Sequence, residues 1–172
     1  MRALTTPRIA LEPLSVEHAA LLAGGFAEPA LYEWIDAPSP DLGSLTHRFA
    51  RITVPGADAP DRWLNWAMRL RGTGDYPGLV EITLHPDLTA HLAYFVFRAF
   101  TRRGLGREGC AAVIEALRAD CGVVEVIATM DTRNVASKAL AESLGFVREE
   151  QLLPSSLRGE ATLDYRYRLR LD

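Results

Sequence analysis

Lysine is almost missing from these 172 residues: Lys138 stands alone, so nearly all of the 19 basic residues are arginine. Against 22 acidic residues the net charge is -3. That balance argues against a nucleic-acid partner, whose binders carry a basic excess. Only two cysteines occur, Cys110 and Cys121. On one helix they would lie about 16 Å apart, too far for a disulfide, and they read as reduced core residues. The four histidines, His18, His47, His85 and His91, show no metal-ligand spacing, so no metal is expected. No apolar run approaches the roughly 20 residues of a membrane helix. The longest, Leu92–Phe97, is strand-sized. Residues Met1–Arg8 lack a signal-peptide core. These absences predict one cytoplasmic domain over residues 1–172, monomeric or homodimeric, with no membrane partner.

The periodicity then divides the chain. Residues 8–14 read as an edge strand ending at Pro13, followed by Ser15 as the N-cap of a short helix with Ala19, Leu22 and Ala23, stopped by Gly24-Gly25. Five of the ten prolines (Pro29, Pro38, Pro40, Pro55, Pro60) crowd the next stretch. A helix inside it carries Leu45, Phe49 and Ile52, and Tyr32 and Trp34 either line a pocket or staple the loop to the core. Segments 63–71, 78–85 and 91–98 look like an antiparallel meander. A helix with Cys110, Val113, Ile114, Leu117 and Cys121 on one face follows, then a β-branched strand over 123–130. A helix over 134–144, a strand over 146–152 and an alternating strand over 163–171 complete a mixed α/β (α+β) pattern of about seven strands and four helices.

One loop stands out. Gly104-Leu105-Gly106-Arg107-Glu108-Gly109 spells the dinucleotide fingerprint, with Glu125 at the distance of a ribose acid. Yet about a hundred residues precede it and 66 follow Gly106, too few for a doubly wound parallel sheet. The physics of the loop survives that rejection. Glycines between a strand and a helix let backbone amides converge on an anion, and the helix dipole favours negative charge there. Arg98, Arg102, Arg103 and Arg107 cluster on the same loop, and planar guanidinium groups suit phosphates. A diphosphate-bearing ligand fits, whereas a Walker loop is excluded because no Gly-Lys-Ser/Thr occurs.

With Tyr94–Phe97, then Thr101-Arg102-Arg103-Gly104-Leu105-Gly106, then Asn134-Val135-Ala136-Ser137 and Leu144-Gly145-Phe146 in order, the chain resembles the GNAT superfamily of acyl-CoA N-acyltransferases. The opening Arg8-Ile9-Ala10-Leu11-Glu12-Pro13-Leu14 is similar to the start of its RimJ/RimL branch. The resemblance implies a twisted, mostly antiparallel sheet and direct acetyl transfer from acetyl-CoA to an amine, a protein N-terminus or a small molecule. A non-catalytic acyl-CoA-binding protein of the same fold is the alternative. The implied cofactor contacts are Phe95, Val96, Phe97, Thr101, Arg102, Arg103, Gly104, Leu105, Gly106, Arg107, Asn134 and Ser137, with a strand splay between 91–98 and 123–130 admitting the pantetheine arm. Asn134 reads equally as a helix N-cap.

The attacking ammonium must lose a proton, and Glu81 and His91 are the candidate bases, with Asp131 third. Ser137 is the candidate donor to the departing thiolate, with Tyr94 and Tyr165 in reserve. Three residues depart from the family pattern: Thr101 replaces a usual Gln or Arg, Ala141 replaces a frequent catalytic tyrosine, and His91 stands where the RimJ/RimL branch often carries an acidic residue. The resemblance implies that acceptor contacts come from residues 25–62 and a 152–161 loop.

Overall fold

The computed structural model describes residues 1–54 and 60–171; Pro55 of the proline-rich stretch lies outside them. Eight strands form one sheet: β1 (Leu4–Thr5), β2 (Ile9–Pro13), β3 (Arg62–Leu70), β4 (Gly78–Leu84), β5 (Thr89–Val96), β6 (Glu125–Asp131), β7 (Val147–Leu157) and β8 (Glu160–Arg170). Their spatial order is β1-β2-β3-β4-β5-β6-β8-β7. Every pairing is antiparallel except β5 with β6. The four helices are α1 (His18–Phe26), α2 (Leu42–Thr53), α3 (Leu105–Cys121) and α4 (Val135–Ser143). No helix among the described residues is long and apolar enough to cross a membrane.

Two apolar layers hold the sheet. On one face α3 and α4 press Cys110, Val113, Leu117 and Ala141 against Met68, Val80 and Tyr167 of the strands. On the other, α1 and α2 bring Leu22, Phe26, Leu45 and Phe49 onto Ala67 and Leu79. Each such Leu or Phe, fully buried, contributes roughly 1.5–3 kcal/mol of transfer free energy. The meander read from the sequence is the β3-β4-β5 run, and Gly109 sits inside α3 because a side chain there would meet Met68 Sδ at 2.7 Å.

Three expectations are corrected. Helix α1 does not stop at Gly24-Gly25 but runs to Phe26; Gly25 is there for space, since the ring of Phe97 leaves no room for a Cβ. Ser15 does not supply a side-chain cap; its backbone amide instead donates to His18 Nδ1 at 3.0 Å. Residues 152–161 are not a loop. They form the far end of the β7–β8 hairpin, turned by Arg158 and Gly159 at φ of 52° and 81°, the two successive left-handed residues that a tight hairpin turn requires.

Candidate functional site

The parallel pair is short. Only Thr89, Ala90 and His91 of β5 register with Glu125, Val126 and Ile127 of β6. Beyond that rung β5 continues to Val96 held by β4, while β6 continues to Asp131 held by β8. Each strand is therefore satisfied on its outer side, and the two part without losing their own ladders. The inner edge of Leu92–Val96 is left with alternate amides and carbonyls free of a strand partner, which is costly unless water or a ligand bonds them.

Beside this parting opens a cleft of about 700 Å³. Its walls are Tyr94, Phe95 and Val96 of β5, the loop into α3, the cleft-facing side of α4 and the segment from Glu28 to Ile35. The loop is shaped for an anion. Arg102 and Gly104 both adopt positive φ, 59° and 74°, and Gly104 is the N-cap of α3 with no side chain bonding the first-turn amides. Those N–H groups therefore point outward, where the helix dipole favours negative charge. Arg98, Arg102 and Arg107 line the same end of the cleft.

Most of the expected cofactor contacts fall on this wall: Phe95, Val96, Thr101, Arg102, Gly104, Leu105, Gly106, Arg107, Asn134 and Ser137 all line the cleft. Two do not. Phe97 is buried, edge-on to Phe26 at 5.3 Å between ring centres, and its amide donates to Pro77 O at 2.9 Å. Arg103 carries its guanidinium over the Phe100 ring at 5.7 Å. Asn134 is both a lining residue and a cap, its Oδ1 accepting from Ser137 N at 3.1 Å. The Gly106 position is also tight for a structural reason, since a Cβ there would approach Val96 Cγ2 at 3.0 Å.

The proton-transfer candidates separate. Ser137 lines the cleft, and its hydroxyl has no hydrogen bond among the described residues. Glu81 lies on the opposite face of the sheet, gripped by Arg48 Nη2 at 2.6 and 2.7 Å. Arg48 itself rests near Phe49 and Phe95, 5.9 Å from each ring centre. Asp131 is buried and bound by Arg133 at 2.8 and 2.6 Å; that bond holds its carboxyl below the usual range despite burial, which makes it a poor base. His91 occupies the last paired rung before the strands part. It stands 5.0 Å from the His85 ring, which bonds Asp61 at 2.7 Å. Desolvation first, then the charges of His85 and Arg166, hold the His91 pKa below its ordinary value, so the imidazole is neutral at pH 7.

Other residues complete the cleft, among them Tyr94, the reserve proton donor, and Trp34, the candidate pocket liner. Tyr94 reaches across from β5 and donates to Ser137 O at 3.2 Å; burial pushes its phenol well above the ordinary value. Ala136, Leu140 and Ser143 form the cleft face of α4, a helical spacing visible in the sequence but masked by the stronger signal of the buried Ala141. Trp34 lines the cleft with the Arg133 guanidinium 5.0 Å over its ring. Tyr32 staples its loop, buried in the core. Arg158 at the hairpin tip fastens the same loop by donating to Tyr32 O at 2.7 Å. Glu125, the ribose acid of the dinucleotide reading, is instead bound by Arg168 at 2.8 Å. No metal-holding group of His, Cys, Asp and Glu occurs among the described residues.

Comparison with known proteins places this geometry. The family model described as "Acetyltransferase (GNAT) domain" matches residues 8–147. A comparison with curated protein sequences finds no match. Among solved structures, the chain is similar to an acetyltransferase of the GNAT family from Bacillus anthracis, with TM-score 0.83, 13% identity and 98% of each chain covered. It is similar to RimL, a ribosomal-protein alpha-N-acetyltransferase solved in complex with coenzyme A, with TM-score 0.89, 14% identity and 99% of each chain covered. It also resembles the microcin self-immunity acetyltransferase MccE in complex with acetyl-CoA and AMP, with TM-score 0.83, 16% identity, and 96% of this chain and 94% of that one covered. At these identities the likeness is one of fold.

Proposed function

The chain belongs to the GNAT acetyltransferase family, and we propose that it moves an acetyl group directly from acetyl-CoA to a primary amine, either a protein N-terminus or a small molecule. One observation carries this reading: the parting of β5 from β6 opens into the same cleft as the uncapped, arginine-lined start of α3. Acetyl-CoA, when bound, supplies the activated acyl group. The amides of residues 102–107, with the Arg98, Arg102 and Arg107 side chains, bind its diphosphate by charge-assisted hydrogen bonds. The free edge of Leu92–Val96 bonds the amides of the pantetheine arm, and a backbone N–H near Phe95 or Val96 polarises the thioester carbonyl. Asn134 borders that arm while capping α4. That RimL and MccE were solved with coenzyme A and acetyl-CoA supports an acyl-CoA as the ligand of this fold.

The two faces of the sheet divide the remaining work. Ser137, on the cofactor face, donates a proton to the departing thiolate. His91 points to the opposite face, at the root of the parting, and takes the ammonium proton directly or through a water. Glu81 shares that face but is committed to Arg48, so its role is to hold α2 against the sheet.

The test is release of free thiol from acetyl-CoA in the presence of a panel of amines and N-terminal peptides, paired with melting curves in CoA and in NAD. Thiol release with at least one amine, and a melting temperature raised by CoA but not NAD, is the expected result. Tight CoA binding with no release for any amine would instead mark a non-catalytic acyl-CoA-binding protein.

A further inference from the structure

The segment Thr6–Arg8, just ahead of β2, has no part in the cleft wall, yet four hydrogen bonds tie it to the entrance of α3. Glu108 stands in the first turn of α3, about 6 Å along the axis from Gly104 at 1.5 Å per residue. Its carboxylate accepts from Thr6 Oγ1 at 2.6 Å, from the Arg8 amide at 2.9 Å and from Arg8 Nε at 2.6 Å. The same guanidinium donates through Nη1 to the carbonyl of Arg103 at 2.9 Å. Its Nη2 lies over Gly104, 3.4 Å from where a Cβ would sit. The segment is itself braced by Arg71, whose Nη1 donates to Thr6 O at 3.0 Å and Pro7 O at 3.3 Å.

An anionic side chain in the first turn of a phosphate-binding helix is a contradiction by itself. A carboxylate there competes for the N-terminal dipole that an incoming phosphate needs, and repels it. Burial alone would raise the Glu108 pKa, but the bonds from Thr6 and Arg8 outweigh it, so the group stays ionised. A charge-assisted bond from Arg8 Nε, beside one from its backbone amide, resolves the conflict. It cancels the charge locally and turns the carboxylate into an anchor.

We propose that Arg8 is a positioning residue for coenzyme A: it neutralises Glu108 and pins the Arg103 carbonyl, so that the loop amides face the diphosphate. This rests on the acetyl-CoA reading above. It gives the strand-opening segment Arg8–Leu14 a chemical role, where packing alone would explain only its apolar residues.

Titration of CoA into wild type, Arg8→Gln, Glu108→Gln and the double variant tests it, with ligand-free melting curves as the control for folding. Arg8→Gln is expected to weaken CoA about tenfold, equivalent to roughly 1.4 kcal/mol, and to raise KM for acetyl-CoA while kcat at saturation holds. The double variant is expected to return within about threefold of wild type, because the stranded carboxylate is gone. A purely structural brace predicts the reverse, with the double variant weaker than either single one. Unchanged affinity in Arg8→Gln, or a double variant as weak as Arg8→Gln, overturns the proposal. If Arg8→Gln fails to fold, Arg8→Lys takes its place. One ammonium cannot reach both Glu108 and the Arg103 carbonyl, so about threefold weaker binding is expected, and wild-type affinity overturns the pinning. Failure of wild type itself to bind CoA refutes the acetyl-CoA reading first, and this inference with it.

Discussion

The phenol of Tyr94, on β5, donates to the backbone carbonyl of Ser137, on α4, at 3.2 Å. The bond ties the strand that leaves its partner to the helix that walls the opening. It fixes where the Ser137 hydroxyl stands while committing the Tyr94 proton to a backbone acceptor. Among the described residues the Ser137 hydroxyl lines the cleft without a hydrogen bond of its own.

Ser137→Ala should therefore lower kcat about 100-fold, the lower range for loss of a general acid, with KM for acetyl-CoA changed less than about threefold. Tyr94→Phe keeps the ring packing and loses only the tie, so its loss should be nearer fivefold, about 1 kcal/mol for one hydrogen bond. Steady-state thiol release reads both. A Tyr94→Phe loss exceeding that of Ser137→Ala would reverse the two roles.

His91 carries a pH signature. Its pKa is lowered in the folded chain, chiefly by desolvation and then by His85 and Arg166, with Asp61 opposing. As pH falls below the ordinary histidine value of 6.5, the unfolded chain therefore takes up the proton first, and stability declines until the folded pKa is passed. His91→Gln should flatten the melting temperature across that acid range. It should also remove the acid limb of the kcat/KM profile, which Glu81→Gln should leave in place. Glu81→Gln should instead cost about 1–3 kcal/mol of stability, by weakening the partner of a half-buried guanidinium. Urea denaturation distinguishes the two outcomes.

Gly25→Ala is a substitution that helix propensity favours by about 1 kcal/mol. Against Phe97 it should destabilise instead, by about 1–3 kcal/mol net, because the ring is locked between Phe26 and Gly25 and cannot yield. Chemical denaturation should show the loss, and Phe97→Leu in the same chain should relieve part of it.

Much of this was legible in the chain itself. Period-two and period-3.6 patterns exposed seven of the eight strands and all four helices, since each must bury one face. The glycine-arginine loop pointed to an anion site, an expectation supported by the uncapped first turn of α3 and by Arg98, Arg102 and Arg107 on the cleft wall. What escaped has physical reasons. Gly24-Gly25 signals a helix stop locally, but a ring 72 positions later in the chain occupies the space that a side chain would need. Arg158-Gly159 does not carry the usual Asn or Asp of a tight turn, so a hairpin was read as a loop. Phe97 belongs to a run of apolar residues that alternation splits between two faces, and only the partner layers show which face is core.

The sequence by itself determined the element types, the glycine-arginine make-up of the α3 entrance and the family resemblance, because these depend on residues close together along the chain. Tertiary structure decided which charges are free and which are spent. Arg48 with Glu81 and Arg8 with Glu108 are separated by 33 and 100 positions. Only folding sets their distances, and with them which groups can act on a substrate. The ends of β5 and β6 part because each finds its hydrogen bonds on the outer side, a balance struck across four strands and written in none of them alone.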